Sequence, residues 1–309
     1  MSPSFDEHLE AALKDHNDKI SKLETSGGTS EEFLDALINR GSILSMMEYY
    51  VSAISDFDDA IAIIAELEEE GKTVDPGSFI KAYVSRGELM SPENMGQTVE
   101  DYITAASRLS KLEITSKYFD ERKIVVMCIN CCEDLVDSEF PGEIAPFIEK
   151  LYEILPRKKD NWSLNRYLEM LNLDGQATAD LSHPDQALEI FTRAIEIGVD
   201  LFDKKALEDT MSIVFPLISR GDIAQQKGLF EQYFLDRKAA ISLLEGLLEM
   251  NRLDDVQILA GLHQDVANTY LTLNKVKEAE EHLMREVMLN MDGAEEYIRE
   301  YADREKLNR

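Results

Sequence analysis

Apolar residues along this chain recur at intervals of three and four, which is the spacing of one face of an α-helix. The segment from Phe5 to Leu23 has this spacing and is followed by two consecutive glycines. Ser30 then stands where an N-cap is expected, and Pro76 and Pro92 each follow a polar residue, as a proline in the first turn of a helix does. No segment alternates apolar and polar residues between hairpin turns. The pattern therefore predicts an all-α protein.

These start and stop signals divide the chain into an N-terminal helix within 5–25, six helix pairs and a charged C-terminal helix within 293–307. We expect the fourth pair to end at Gly198, and Pro216 to kink or split the first helix of the fifth pair. The predicted pairs are 31–47 with 50–69, 77–90 with 93–112, 117–136 with 143–155, 161–180 with 184–197, 203–226 with 229–249, and 253–273 with 275–290.

A motif of an apolar residue, a variable residue, Arg and Gly ends at Gly41, Gly87 and Gly221. These glycines lie 46 and 134 residues apart, and 134 is close to three times 45. The intermediate and following steps fall at Cys131, Gly175 and Ala267. A fixed period of this length is typical of a solenoid, in which each repeat buries its apolar face against its neighbours. We therefore expect a single α-solenoid of about six helical hairpins with terminal helices over residues 1–309.

Small and aromatic residues follow these positions at offsets of 12, 16 and 19. They are Ala53, Phe57 and Ala60 in the first repeat, and Ala187, Phe191 and Ala194 in the fourth. This spacing resembles the tetratricopeptide repeat family over roughly residues 30–291. The usual period of that family is 34 residues and the period here averages about 45, so HEAT-like repeats of about 40 to 47 residues are the alternative. The resemblance implies a superhelix with an inner groove, and a non-enzymatic scaffold that binds a peptide or another protein there.

In tetratricopeptide proteins the first helix of each pair lines the groove, so the resemblance also implies a set of candidate binding residues. This set lacks the Lys and Asn clamp with which some members hold a terminal carboxylate. Amides can bind an extended peptide backbone without requiring a charge, so a neutral or basic peptide is expected. A regulatory protein that changes curvature on binding a signalling peptide or small ligand is the alternative. The candidate groove residues are Ser42, Met46, Glu88, Asn172, Gln176, Asp222, Gln225, Gln264 and Asn268.

Charge narrows the choice of partner. The chain has 32 basic and 61 acidic residues and a net charge of −29, which disfavours binding to nucleic acid and to anionic membranes. The acidic surface either serves solubility or docks a basic partner. No run approaches 18 apolar residues, and the N-terminus lacks the basic and apolar regions of a secretory signal, so a cytoplasmic location is expected.

The sequence shows little that indicates catalysis. The cysteines, Cys128, Cys131 and Cys132, lie on one helical face among apolar residues, which favours core packing over a metal site. The histidines have no paired metal-ligand spacing, and no phosphate-binding loop or nucleophile motif occurs. We expect neither an enzyme, nor a cofactor, nor a metal; a helical enzyme would need a pocket of converging titratable groups.

The repeated arginines suggest a repeated structural task. Arg40 and Arg86 precede repeat glycines, and Asp56 and Asp101 in the second helices are their expected partners. Arg220 occupies the same motif position, and ligand binding by these arginines is the alternative. Self-association as a homodimer is a further expectation, with Tyr297 and Tyr301 of the last predicted helix as candidate contacts.

Overall fold

The computed structural model describes residues 5–26, 30–91 and 94–291. Within these ranges the chain forms thirteen α-helices and no strand, which confirms the all-α class and the α-solenoid of helical hairpins. The chain divides into two compact units, Met1–Lys159 and Asp160–Arg309, which we call unit 1 and unit 2. The predicted C-terminal helix, with Tyr297 and Tyr301, lies outside the described residues.

Unit 1 contains a single N-terminal helix followed by three hairpins. Polar caps begin several of its helices: Ser30 accepts a hydrogen bond from the backbone of Phe33, and Asp75 accepts one from the backbone of Ser78. A short 3-10 helix, Pro141–Ile144, leads into the last helix of the unit. The helices are α1 Phe5–Ser26, α2 Glu31–Met46, α3 Tyr50–Glu69, α4 Pro76–Met90, α5 Met95–Leu109, α6 Glu121–Asp137 and α7 Ala145–Ile154.

Unit 2 contains the other three hairpins, in which α8 packs with α9, α10 with α11, and α12 with α13. The loop between α9 and α10 is fixed by Asn165 of α8, whose side chain bonds the backbone of both Ala206 and Glu208. The helices are α8 Asn161–Asp180, α9 Pro184–Asp203, α10 Met211–Gln226, α11 Phe230–Glu249, α12 Val256–Thr272 and α13 Val276–Leu289.

Glycines and aromatic rings lock the two helices of several hairpins together. A Cβ atom added to Gly175 would lie 2.5 Å from the ring of Phe191, and one added to Gly41 would lie 3.1 Å from the ring of Phe57. Both rings are buried. Offset 16 from the repeat glycine is therefore a packing contact between the two helices of a hairpin, as the repeat spacing predicts.

The predicted boundaries of α5, α9 and α10 are among those that differ from the structure. Helix α5 begins at Met95 after the N-cap Asn94, not after Ser91. Helix α9 continues through Gly198, because a Cβ there would lie 2.5 Å from the side chain of Ile213; this glycine permits close helix packing instead of ending a helix. Helix α10 consequently starts only at Met211.

Of the two predicted effects of Pro216, a kink or a split, the split does not occur, because Pro216 lies inside α10. A proline has no N–H, so the carbonyl of Ser212, four residues earlier, lacks its helical donor. The side-chain amide of Asn172 in α8 donates a hydrogen bond of 2.9 Å to that carbonyl. The proline therefore remains within a continuous helix because a neighbouring hairpin supplies the missing donor.

Candidate functional site on the first helices

The predicted pairing of the repeated arginines is confirmed. Nε and Nη2 of Arg40 donate to the two carboxylate oxygens of Asp56, at 2.8 and 2.6 Å. Arg86 binds Asp101 in the same two-pronged way, at 2.9 and 2.6 Å. The pair in the fifth hairpin, which sequence reasoning did not match to a partner, is Arg220 with Asp236, at 3.0 and 2.6 Å.

The third guanidinium nitrogen of each arginine reaches the preceding helix or hairpin. Nη1 of Arg40 donates to Asn17 of α1, and Nη1 of Arg86 donates to Asp58 of α3. Nη1 of Arg220 donates to Thr192 of α9. Asp58 and Thr192 hold the same repeat position, one residue after the buried aromatic. The arginines therefore join the helices within a hairpin and also join that hairpin to the preceding helix or hairpin. Each guanidinium nitrogen already has a partner, which disfavours the ligand-binding alternative.

The cysteines are also packing residues. Cys128, Cys131 and Cys132 are fully buried and none forms a disulfide. Burial raises the pKa of Cys128 and of Cys131, which keeps both thiols protonated and unreactive. No group of three or more metal-ligating side chains occurs in the part of the chain that the structure describes.

The predicted groove residues of unit 1 show mixed exposure. Ser42 is half-buried and donates its hydroxyl proton to the backbone carbonyl of Ile38, within its own helix. Glu88 and Met46 are exposed, and Met46 lies beside other exposed apolar side chains at the turn between α2 and α3. That turn exposes Met46, Tyr49, Tyr50 and Val51.

In unit 2, two of the predicted groove residues connect neighbouring first helices. Besides the Asn172 bond that joins α8 to α10, the side-chain amide of Gln225 in α10 donates to the hydroxyl of Thr269 in α12, at 2.7 Å. Gln176, one helical turn beyond Asn172, is exposed, as are Gln264 and Asn268 on α12. Asn172 and Gln225 thus hold the first helices side by side, although Gln225 is also exposed, and the other amides of the series are accessible.

Arg237 is the residue of this region that sequence reasoning missed. It lies at offset 16 from Gly221, where other repeats have Phe57 or Phe191, and its side chain is only 1% exposed. Its guanidinium packs over the ring of Tyr233 and donates to the carbonyl of Ile218, at 3.1 Å. The absence of an aromatic residue at that offset is the sequence signal that could have revealed it.

The buried Arg237 cation holds two carboxylates of adjacent first helices. Its Nη2 donates to Asp222 of α10 and lies 3.8 Å from Oδ2 of Asp265 of α12. The two carboxylate side chains are 47% and 56% exposed. Burial raises the pKa of Asp222, the charge of Asp265 raises it further, and Arg237 opposes both effects. Two acids and one inaccessible base leave a local excess of negative charge at the surface.

The first-helix face of unit 2 therefore combines exposed amides with a pair of carboxylates. We use this name for the residues of α8, α10 and α12 that carry it. They are Gln176, Asp222, Gln225, Gln264, Asp265 and Asn268. Such a surface can donate and accept hydrogen bonds along a peptide backbone and can attract a Lys or Arg side chain.

Comparison with known proteins supports the fold. No protein-family model matches the sequence, and no curated protein matches it. A crystal structure of the C-terminal part of a TPR repeat-containing protein from Cytophaga hutchinsonii is similar, at a TM-score of 0.52 and 14% identity over 93% of this chain and 96% of that chain.

Two further structures have lower TM-scores. BtubC from P. vanneervenii has a TM-score of 0.47 and 14% identity over 77% of this chain and 92% of its own. A Rap protein complexed with competence and sporulation factor has a TM-score of 0.46 and 15% identity over 94% and 77%, respectively. The fold of this chain is similar to that of tetratricopeptide repeat proteins.

Proposed function

We propose that this protein is a non-enzymatic scaffold that binds a neutral or basic segment of a partner protein on the first-helix face of unit 2. The observation that carries the proposal is the pair Asp222 and Asp265, two half-exposed carboxylates on adjacent helices that share one buried arginine. A Lys or Arg side chain of the partner would compensate their excess negative charge.

The exposed amides supply a second set of interactions. Gln264 and Asn268 lie on α12 on either side of Asp265 along the sequence, and all three side chains are exposed. Each amide offers both a donor and an acceptor, which an extended peptide backbone can use. The overall charge of −29 adds long-range attraction for a basic partner and raises the rate of association.

A regulatory role is the second candidate. Asp222 and Asp265 belong to neighbouring hairpins, so a ligand that binds both would change the relative stability of alternative spacings between α10 and α12. A signalling peptide that acts in this way would alter the curvature of the repeats. A cytoplasmic location and self-association remain proposals; among the described residues, no helix is both long and apolar enough to cross a membrane.

The test uses extended peptides that lack large apolar residues and differ only in carrying Lys, Gln or Glu at alternate positions. We expect the intact protein to bind the Lys and Gln peptides more tightly than the Glu peptide. Replacing both carboxylates, Asp222→Asn with Asp265→Asn, should lower the affinity for the Lys peptide about tenfold. This is the size expected when paired charges at an interface are lost.

The matched control removes two carboxylates elsewhere in unit 2. Glu278→Gln with Glu280→Gln changes two exposed acids of α13 and so gives the same net charge. This control should retain Lys-peptide affinity to within about twofold at physiological salt, because exposed charges more than about 8 Å away are screened. Equal weakening by the two double variants would attribute binding to net charge alone and would contradict the proposal.

A further inference from the structure

A groove on the second helices of unit 2 is separate from the first-helix face. It is a cavity of about 490 Å³ between α9 and α11, and α10 forms its floor. Val199 and Phe202 of α9 and Leu235 of α11 line it with 46%, 48% and 58% of their surfaces exposed. We call this cavity the second-helix groove. A cavity of this size falls within the range of about 300–1,000 Å³ that is typical of ligand sites.

The polar groups of the groove wall already have partners. Arg220 binds Asp236 and Thr192, and Gln232 donates to Asp236 at 2.9 Å. Among the described residues that line the groove, Ser242 is the one polar side chain outside this network. An extended peptide would have to bury backbone N–H and C=O groups without partners here, whereas a helix satisfies its own backbone.

The charges on the helices that form the groove indicate which charged residues a bound segment would carry. Glu196 and Asp203 of α9 and Glu231 and Lys238 of α11 are exposed on the two helices that form the groove. Three acids and one base make the sum of these exposed charges negative. Asp200 of α9 is paired with Lys204 at 2.5 Å. An apolar ridge flanked by Lys or Arg would therefore be complementary in both polarity and charge.

We propose that the second-helix groove binds an amphipathic helix of a partner protein, with large apolar residues on one face and basic residues at its flanks. Residues Ile195 to Phe202 of α9 span about 10 Å at 1.5 Å per residue. That length accommodates apolar side chains at positions i, i+4 and i+7 of the partner helix. The site differs from the first-helix face in location, in the conformation it binds and in its apolar character.

The probe is a synthetic helical peptide with Leu at i, i+4 and i+7 and Lys at the flanking positions, measured by fluorescence anisotropy against the intact protein. Two comparison peptides carry Glu in place of Lys, or the same composition in scrambled order. We expect the Lys-flanked peptide to bind at least about tenfold more tightly than either.

The variant Val199→Gln with Leu235→Gln tests the location of binding. Both side chains are about half exposed, so the fold should persist, and the affinity should fall at least about tenfold through loss of apolar contact. The matched control is Val51→Gln in α3, where the side chain is 85% exposed, and it should leave affinity unchanged. Circular dichroism of each variant checks that the helices are retained.

Three outcomes would overturn the proposal. Unchanged affinity in the Val199→Gln, Leu235→Gln variant would place the peptide elsewhere. Equal affinity for the ordered and scrambled peptides would show non-specific binding. A dimer in analytical ultracentrifugation that this variant converts to a monomer would identify the occupant as a second copy of the chain.

Discussion

The fourth and fifth hairpins each carry a repeat glycine on the first helix but differ at the position that joins their helices. In the fourth, Gly175 accepts the ring of Phe191 so closely that an added Cβ would lie 2.5 Å from it. In the fifth, Gly221 faces Arg237, and an added Cβ would lie 3.7 Å from the nearest guanidinium atom. The same repeat position can therefore serve packing alone, or can hold a buried cation that reaches surface carboxylates.

This difference sets the fifth hairpin apart from the fourth. It keeps the arginine pair found in the first two hairpins, Arg220 with Asp236. It replaces the aromatic contact by a charge whose Nε has no partner among the described residues. Burying such a group is costly unless its interactions compensate, so a function at Asp222 and Asp265 would account for its presence.

The largest predicted effect concerns the Arg–Asp pair that the fifth hairpin shares with the first two. Asp236→Ala should destabilise the protein by about 3 kcal/mol, because it leaves the partly buried Arg220 without its main partner. Urea unfolding measures this change. The exposed substitution Asp203→Ala should cost less than about 0.5 kcal/mol. A cost below 1 kcal/mol for Asp236→Ala would show that the arginine pairs do not hold the hairpins together.

The next largest effect on stability is expected from replacing the repeat glycines Gly175 and Gly221. Gly175→Ala should destabilise by about 2 kcal/mol, since the new methyl group overlaps the buried Phe191 ring. Gly221→Ala should stabilise by about 0.5 kcal/mol, because its nearest contact is 3.5 Å away and alanine favours the helix. Thermal unfolding of the two variants side by side measures the contrast, and equal destabilisation would remove the structural distinction between the hairpins.

Replacing the buried cation should separate stability from function. Arg237→Met should leave stability unchanged or raise it by about 1 kcal/mol, because an apolar side chain of similar length needs no compensation for burial. Loss of the cation should also raise the pKa of Asp222 further, which NMR titration of its carboxylate would detect. A loss of several kcal/mol would instead make Arg237 a structural residue like Phe191.

The smallest effect is a pH dependence in the sixth hairpin. Nδ1 of His263 lies 2.9 Å from Nδ1 of His282, and burial together with His263 lowers the pKa of His282. A lowered pKa means that the unfolded chain binds the proton more readily. Stability is therefore complete above the ordinary histidine pKa of about 6.5 and decreases as pH falls below it.

Charged groups around His263 and His282 also change the pKa of His282. Glu281 and Glu245 raise the pKa of His282 and Lys238 lowers it, while Arg285 is bound to Glu245. Urea midpoints measured from about pH 7.5 to about pH 6 should decrease more for the unchanged protein than for His282→Asn. His183→Asn, at an exposed histidine, should behave like the unchanged protein. The same pH slope in all three proteins would contradict a role for the pair.

Contacts within a hairpin could be predicted from the sequence. The offsets from Gly41 and Gly175 specify which residues meet inside one repeat, so the six helix pairs and the pairing of Arg40 with Asp56 could be derived without coordinates. Contacts between hairpins depend on how whole helices pack, and periodicity carries little information about them. The role of Asn172 as donor to the Ser212 carbonyl is one such contact.

Glycine and arginine illustrate the same limit. Gly198 has the residue type of a helix end, but only the position of Ile213 shows that it serves close packing. Arg237 looks like one more surface charge on α11, and its burial is visible only once α10 and α12 are in place around it. The accessible part of the predicted groove set could likewise not be separated from the part that joins helices.

The most direct test of a partner-binding first-helix face is photo-crosslinking of the Lys-containing extended peptide to the intact protein, with the attached residues identified by mass spectrometry. The account predicts crosslinks on α10 and α12 near Asp222 and Asp265, and their loss in the Asp222→Asn, Asp265→Asn variant. Crosslinks confined to α9 and α11, or to unit 1, would contradict it.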